Sequence, residues 1–265
     1  MFQYNIMPPL LDHKHHDRPS VFNPANLLRE ARRQRAIPAG EVPELCVLDP
    51  DGDLSRHLKD SGSRRNPHWA GYHTELYDLD LDGAAVGVLG CAVGASFAVL
   101  VAEELFASGC RFLISVTSAG QIIPAARPPY FVLIDRALRD EGTSYHYLPP
   151  ASYALIRGEA MTVAQSVLTA SDDVVQGGVW TTDAPFRETE EAIAFARSEN
   201  LLAVEMEAAA LYALAEAKGF PIVCFAYVTN QMGLIENDFE KGEADGNTAF
   251  VRLVSTIARA WRARP

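Results

Sequence analysis

The 265 residues carry 34 Asp and Glu against 23 Lys and Arg, a formal net charge of -11. An acidic chain without a basic face is a poor partner for nucleic acid. With 48% hydrophobic residues it can bury a full core, and no apolar run approaches the ~18 residues that cross a membrane as a helix.

The opening residues up to Asp17 lack a basic stretch, an apolar stretch and a small-residue cleavage site, so no secretory signal is expected. His13, His15 and His16 surround Lys14 without a carboxylate or Cys at ligand spacing, which reads as a solvated tail and not a metal site. Asn23-Pro24 is an N-cap followed by Pro at the first helical position, predicting a helix to about Arg35 that Pro38 and Gly40 end. Residues 1–40 are thus expected to be an extension with one helix, and 41–265 a single domain, since no Gly/Ser- or Pro-rich linker divides them. The four Cys (Cys46, Cys91, Cys110, Cys224) sit in or beside apolar segments without metal spacing. Buried thiols in a reducing, cytoplasmic setting are expected.

A first core strand over 44–48 runs into Asp49-Pro50-Asp51-Gly52-Asp53, an Asp/Gly turn whose three carboxylates and absent cation make a poor anion site. A polar loop over 60–70 carries Arg64, Arg65 and His68. Strands follow over 72–79 and 85–90. The small, Gly-flanked segment from Gly90 through Ala92 and Gly94 then leads into a helix over 96–108. A strand over 111–116 ends at Thr117-Ser118-Ala119-Gly120-Gln121, and another over 130–135 precedes Arg139-Asp140-Glu141-Gly142-Thr143-Ser144. Residues 151–171 show helical apolar spacing. A short strand over 179–182 ends at Asp183-Ala184-Pro185-Phe186-Arg187.

Residues 201–204 form a strand that meets Glu205-Met206-Glu207, and an Ala-rich helix closed by Lys218-Gly219 comes next. A buried-looking strand over 221–228 then ends at Thr229-Asn230, and a last helix covers 247–261. Alternating strands and helices predict an α/β fold. Polar groups then fall at the carboxyl ends of strands, where open α/β sheets bind ligands. Glu205 and Glu207 have two readings: acids favoured by a helix N-terminus, or a carboxylate that grips vicinal hydroxyls.

The wording Val-Glu-Met-Glu-Ala-Ala-Ala resembles the signature of the nucleoside phosphorylase and nucleosidase superfamily, which includes uridine phosphorylase, hexameric purine nucleoside phosphorylase and methylthioadenosine nucleosidase. The Gly-flanked segment, Ser118-Ala119-Gly120 and the Arg139–Ser144 stretch are similar to family segments at the same places. The resemblance implies a single three-layer domain with a central mixed sheet flanked by helices, assembled as a homo-oligomer, dimer or hexamer. It implies cleavage of the N-glycosidic bond of a small-molecule nucleoside, purine before pyrimidine, without a cofactor.

In that frame Glu207 binds the ribose hydroxyls, Met206 packs under the sugar with Glu205 beside it, Phe186 stacks on the base and Asn230 meets the base edge. Thr117 and Ser118 face the attacking group, with Ala92 and Gly94 approaching the ligand. The family's phosphate loop has Gly and Arg where this chain has Leu48 and Gly52, and a further phosphate-binding Arg is replaced by Ile114. Inorganic phosphate is then a co-substrate through a substitute such as Arg64, Arg65 or Arg187, or an Arg from a neighbouring subunit. The alternatives are water oriented by Asp49 or Asp51, or a member that binds nucleosides without catalysis.

Overall fold

A computed structural model describes residues 8–168, 173–232, 236 and 238–264. After the helix α1 (Pro24–Arg35), the chain forms β1 (Leu45–Asp49), α2 (Asp53–Asp60), β2 (Leu76–Leu81), β3 (Ala84–Gly90) and α3 (Ala95–Ala107). It continues through β4 (Phe112–Gln121), β5 (Tyr130–Asp140), β6 (Tyr153–Leu155), α4 (Gly158–Leu168), β7 (Val174–Thr182) and α5 (Glu190–Ser198). The last elements are β8 (Leu201–Glu205), α6 (Ala208–Lys218), β9 (Ile222–Asn230) and α7 (Asn247–Arg262).

The sheet is mixed and partly closed. From its centre β4 runs parallel to β1 and β9, β1 to β3, and β2 adds an antiparallel edge. On the other side β9 pairs antiparallel with β5, β5 parallel with β7, and β7 parallel with β8. β8 then returns to the end of β4, pairing Gly120 with Val204 and Gln121 with Ala203. Strands β4, β9, β5, β7 and β8 therefore form a ring. Helices cover it, α3 packing on α6 and α4 on α7. Every residue of β1 and β9 is buried, as expected for strands covered on both faces.

Several local expectations are visible as contacts. Asn23 caps α1 by accepting from the Asn26 N–H at 2.9 Å, and Gly219 ends α6 with φ 70. Strands β4 and β5 run five residues past the predicted ends at 116 and 135, because their polar ends find ladder partners in β9, β8 and β7. The helix expected over 151–171 is corrected: Tyr153–Leu155 is a strand paired with Arg136–Leu138 of the lengthened β5, and α4 begins at Gly158. Residues 169–171 of that expectation lie outside the described ones. Helices α2 and α5 come in addition, α5 capped by Thr189. Cys91 is exposed, unlike the other three Cys. The segment before α1 lies against the turn after β5, with His16 Nε2 3.1 Å from the Tyr145 carbonyl and Lys14 Nζ 3.2 Å from His146 Nδ1.

Candidate active site

The junction between β8 and α6 separates the two acids. One oxygen of Glu205 accepts the Thr181 hydroxyl and the other accepts the Glu207 and Ala208 N–H groups, each at 2.7 Å. All of that carboxylate is engaged by its own chain, as a helix cap. Glu205 as a substrate contact is therefore corrected: burial beneath α6 leaves it no free face. Glu207 is 1% exposed and turns away from its helix. Its Oε1 accepts the Gly94 N–H at 2.6 Å, while Oε2 is buried without a hydrogen-bond partner.

Burial pushes the Glu207 carboxyl well above the usual range, and the neighbouring Glu205 and Asp51 push it further. The Gly94 N–H and the Thr117 hydroxyl oppose the shift, although no bond of ordinary geometry reaches Oε2. A buried carboxylate oxygen without a donor costs stability. Two adjacent hydroxyls of a ligand would supply what it lacks. Gly94 can present its N–H because its backbone lies at φ 93, ψ 146, which side chains resist.

Beside this carboxylate, the turn after β1 crosses the end of β4. Asp51 accepts the Ser118 N–H at 2.7 Å. Asp49 accepts the Gly52 N–H at 3.1 Å and the Ser55 N–H at 2.9 Å, closing the N-terminus of α2. Burial raises Asp49 to about 6, with Asp51 and Asp53 adding to the shift. Asp53 holds Arg56 at 2.8 Å and also pairs with Lys241. Asp49, Asp51, Asp53, Thr117 and Ser118 line one narrow crevice with residues of α7. Arg56 and Lys241 are cations that sequence reasoning missed. Arg56 was legible at helical spacing from Asp53; Lys241 carried no signal, since only the loop before α7 brings it there.

Three residues further along β4, the strand meets the end of β9. A strand rises roughly 3.3 Å per residue, so Thr117 and Gly120 stand about 10 Å apart. The β4–β9 register shifts between Ala119 and Gly120, which sets Gly120 opposite Asn230. A side chain at 120 would meet Met232 Cγ at 3.1 Å and Asn230 Oδ1 at 3.4 Å, so the bare backbone is what lets them approach. The Asn230 amide donates to the Ala119 carbonyl at 3.4 Å and the Thr229 hydroxyl at 3.2 Å, and accepts from the Met232 N–H at 2.8 Å. It orders the turn that follows, and must exchange those bonds to serve a base.

Met232 belongs to the wall of a cavity of ≈ 550 Å³, with Gln121, Phe186, Glu188, Arg197 and Gln231 among the other lining residues. Phe186 is 99% exposed, an apolar face open to a planar ligand. Gln121, Glu188, Arg197 and Gln231 are lining groups that the sequence did not single out. A larger cavity, ≈ 690 Å³, opens between the start of β5 and α7 and contains none of these carboxylates.

The remaining candidates divide. Met206 is half-buried in the junction between β8 and α6, and Ala92 is buried, its N–H donating to the Pro50 carbonyl at 3.0 Å. Arg64 and Arg65 are corrected as anion ligands. They pair with Asp78 at 2.6 Å and Glu75 at 3.1 Å along the edge strand β2, with β3 between them and β1. Arg187 is exposed in the turn that carries Phe186 and lines neither the cavity nor the crevice.

The family model described as the Phosphorylase superfamily matches residues 46–259. A guanosine phosphorylase of Halorubrum lacusprofundi is 24% identical over 184 residues, 69% of this chain and 76% of that protein. Among solved structures, the fold is similar to uridine phosphorylase from Vibrio fischeri, at TM-score 0.70 and 18% identity, covering 84% of this chain and 93% of that one. It is also similar to AMP nucleosidase from Bacteroides thetaiotaomicron, at TM-score 0.67 and 18% identity, covering 83% and 90%.

Proposed function

Because the chain belongs to the phosphorylase superfamily, we propose that it cleaves the N-glycosidic bond of a nucleoside. The observation that carries this reading is the Glu207 carboxylate, buried with one oxygen on the Gly94 N–H and the other without a donor. Vicinal ribose hydroxyls donate two hydrogen bonds to such a group, each worth roughly 1.5–3 kcal/mol when the acceptor is charged. Met206 forms the sugar floor and Phe186 packs on the base. The base occupies the cavity walled by Met232 and Gln121, about 10 Å along β4 from Thr117. Cleavage passes through an oxocarbenium-like state, which the acids around C1′ stabilise electrostatically.

A purine nucleoside is the preferred substrate in this reading. The guanosine-named relative and the room in the ≈ 550 Å³ cavity support it. Assembly as a dimer or hexamer belongs to the same reading, supported by Val93 and Leu100, which stay 51% and 42% exposed beside the Gly94 loop and on α3. Light scattering should give more than one chain per particle. The function itself is tested by incubating the purified chain with guanosine, inosine, adenosine and uridine and measuring free base by chromatography. Release of guanine or hypoxanthine is expected, and no release from any of the four overturns the assignment.

A further inference from the structure

Resting on that reading, we propose that the attacking group is water, oriented by Asp51, and that the chain hydrolyses its nucleoside instead of transferring the sugar to phosphate. Donors that would welcome an anion here are already engaged by the chain's own carboxylates. The Ser118 N–H is on Asp51 at 2.7 Å, the α2 N-terminus on Asp49, and the Gly94 N–H on Glu207 at 2.6 Å. Among the described residues, the nearby cations Arg56 and Lys241 are both paired with Asp53. A phosphate dianion entering this place meets Asp49, Asp51 and Asp53, and must compete with those carboxylates for its donors.

Space makes the same choice. The crevice bounded by Asp49, Asp51, Asp53, Thr117 and Ser118 offers ≈ 10 Å³ to the centre of a water molecule. By that measure one ordered water needs roughly 10–15 Å³, so the crevice as it stands has room for a single water. The neighbouring Glu207 Oε2, buried and lacking a donor, marks where the sugar must lie relative to that water. Asp51 stands near enough to Glu207 to repel it.

In the reaction, the water oxygen forms a bond to C1′ as the C1′–N bond breaks. The Asp51 carboxylate accepts one water proton and later returns it to solvent. The electron pair of the broken bond leaves with the base, which takes up a proton from solvent. Nucleoside and water give free ribose and free base, with no change of oxidation state. Thr117 lines the same crevice, and Ser118 fixes Asp51 through its backbone N–H.

The experiment follows guanosine and inosine cleavage by the full chain in phosphate-free buffer and in phosphate, in water enriched in the heavy oxygen isotope. Equal rates in both buffers are expected, with free ribose carrying the heavy isotope at C1. Asp51→Asn should lower kcat by ~10²–10⁴-fold, the usual scale of a lost general base, with little change in KM. Turnover that requires phosphate and yields a sugar phosphate overturns this inference and leaves the nucleoside assignment standing. So does an Asp51→Asn variant of undiminished rate. Absence of base release in either buffer overturns the nucleoside assignment and this inference with it.

Discussion

Glu205 and Glu207 differ by two positions and by what surrounds them. One has both oxygens filled by a hydroxyl and two N–H groups, the other keeps an oxygen empty. The two should therefore respond oppositely to substitution. Glu205→Ala leaves the Thr181 hydroxyl and the first turn of α6 without an acceptor, and should lower stability by about 1–3 kcal/mol. In a chain of this size each kcal/mol is worth roughly 2–4 °C, so a calorimetric Tm should fall by several degrees. Glu207→Gln removes a buried acid that its neighbours push toward protonation. It should hold or raise Tm at neutral pH while cutting kcat/KM for the nucleoside, an activity–stability trade. If each lost charge-assisted bond is worth about 1.5–3 kcal/mol, the loss is at least ~10-fold. A Glu207→Gln variant that unfolds early while keeping its kcat/KM would place this acid in the structural class.

At the scale of elements, the site is an agreement among loops. Gly94 lies at φ 93 and nothing stands within 4 Å of the space its Cβ would take. Conformation alone restricts it. Gly94→Ala should cost roughly 1–3 kcal/mol, the scale of a residue forced into such a region. It should also weaken nucleoside binding, because the N–H that orients Glu207 moves with the strain. Gly120→Ala meets the other restriction, a crowded neighbourhood. Its Cβ would press on Met232 and Val204, so its effect should appear first in KM through the base cavity that Met232 lines. The Lys241–Asp53 pair ties the segment before α7 to α2. Being partly exposed, it should contribute less than ~1 kcal/mol to stability.

Over the whole molecule the buried acids set the pH profile. Burial raises Glu104 to about 7 and Asp49 to about 6, and moves Glu205 and Glu207 in the same direction. Each of these groups binds its proton more tightly folded than unfolded. The stability this contributes is full below the unfolded carboxyl pKa and is lost as pH rises through the folded one. The chain should therefore be more stable near pH 5 than near pH 8, and the net charge of -11 adds repulsion on the alkaline side. Thermal scans across that range test it, and Glu104→Gln should flatten the profile. A Tm that rises steadily from pH 5 to pH 8 would contradict the assignment of these acids as buried.

Much of the α/β alternation was legible locally, because it is written in short-range chemistry. The Asn23 cap before Pro24, the Gly219 terminator and the apolar runs of β1, β8 and β9 announce themselves within a few residues. The acid at 207 was legible through its wording next to a strand end. Only that wording set it apart from Glu205, since which carboxylate a helix consumes depends on Thr181, 24 residues away. The strand at 153–155 looked helical because its partner is a strand end whose length pairing sets. The crevice was hidden for the same reason. Asp51 reaches Ser118 across 67 residues and Lys241 reaches Asp53 across 188. Local propensity thus determined most elements and the residue types at their ends. Only the closed strand ring, which brings distant ends together, decided which carboxylates stay free to act and which merely hold the chain.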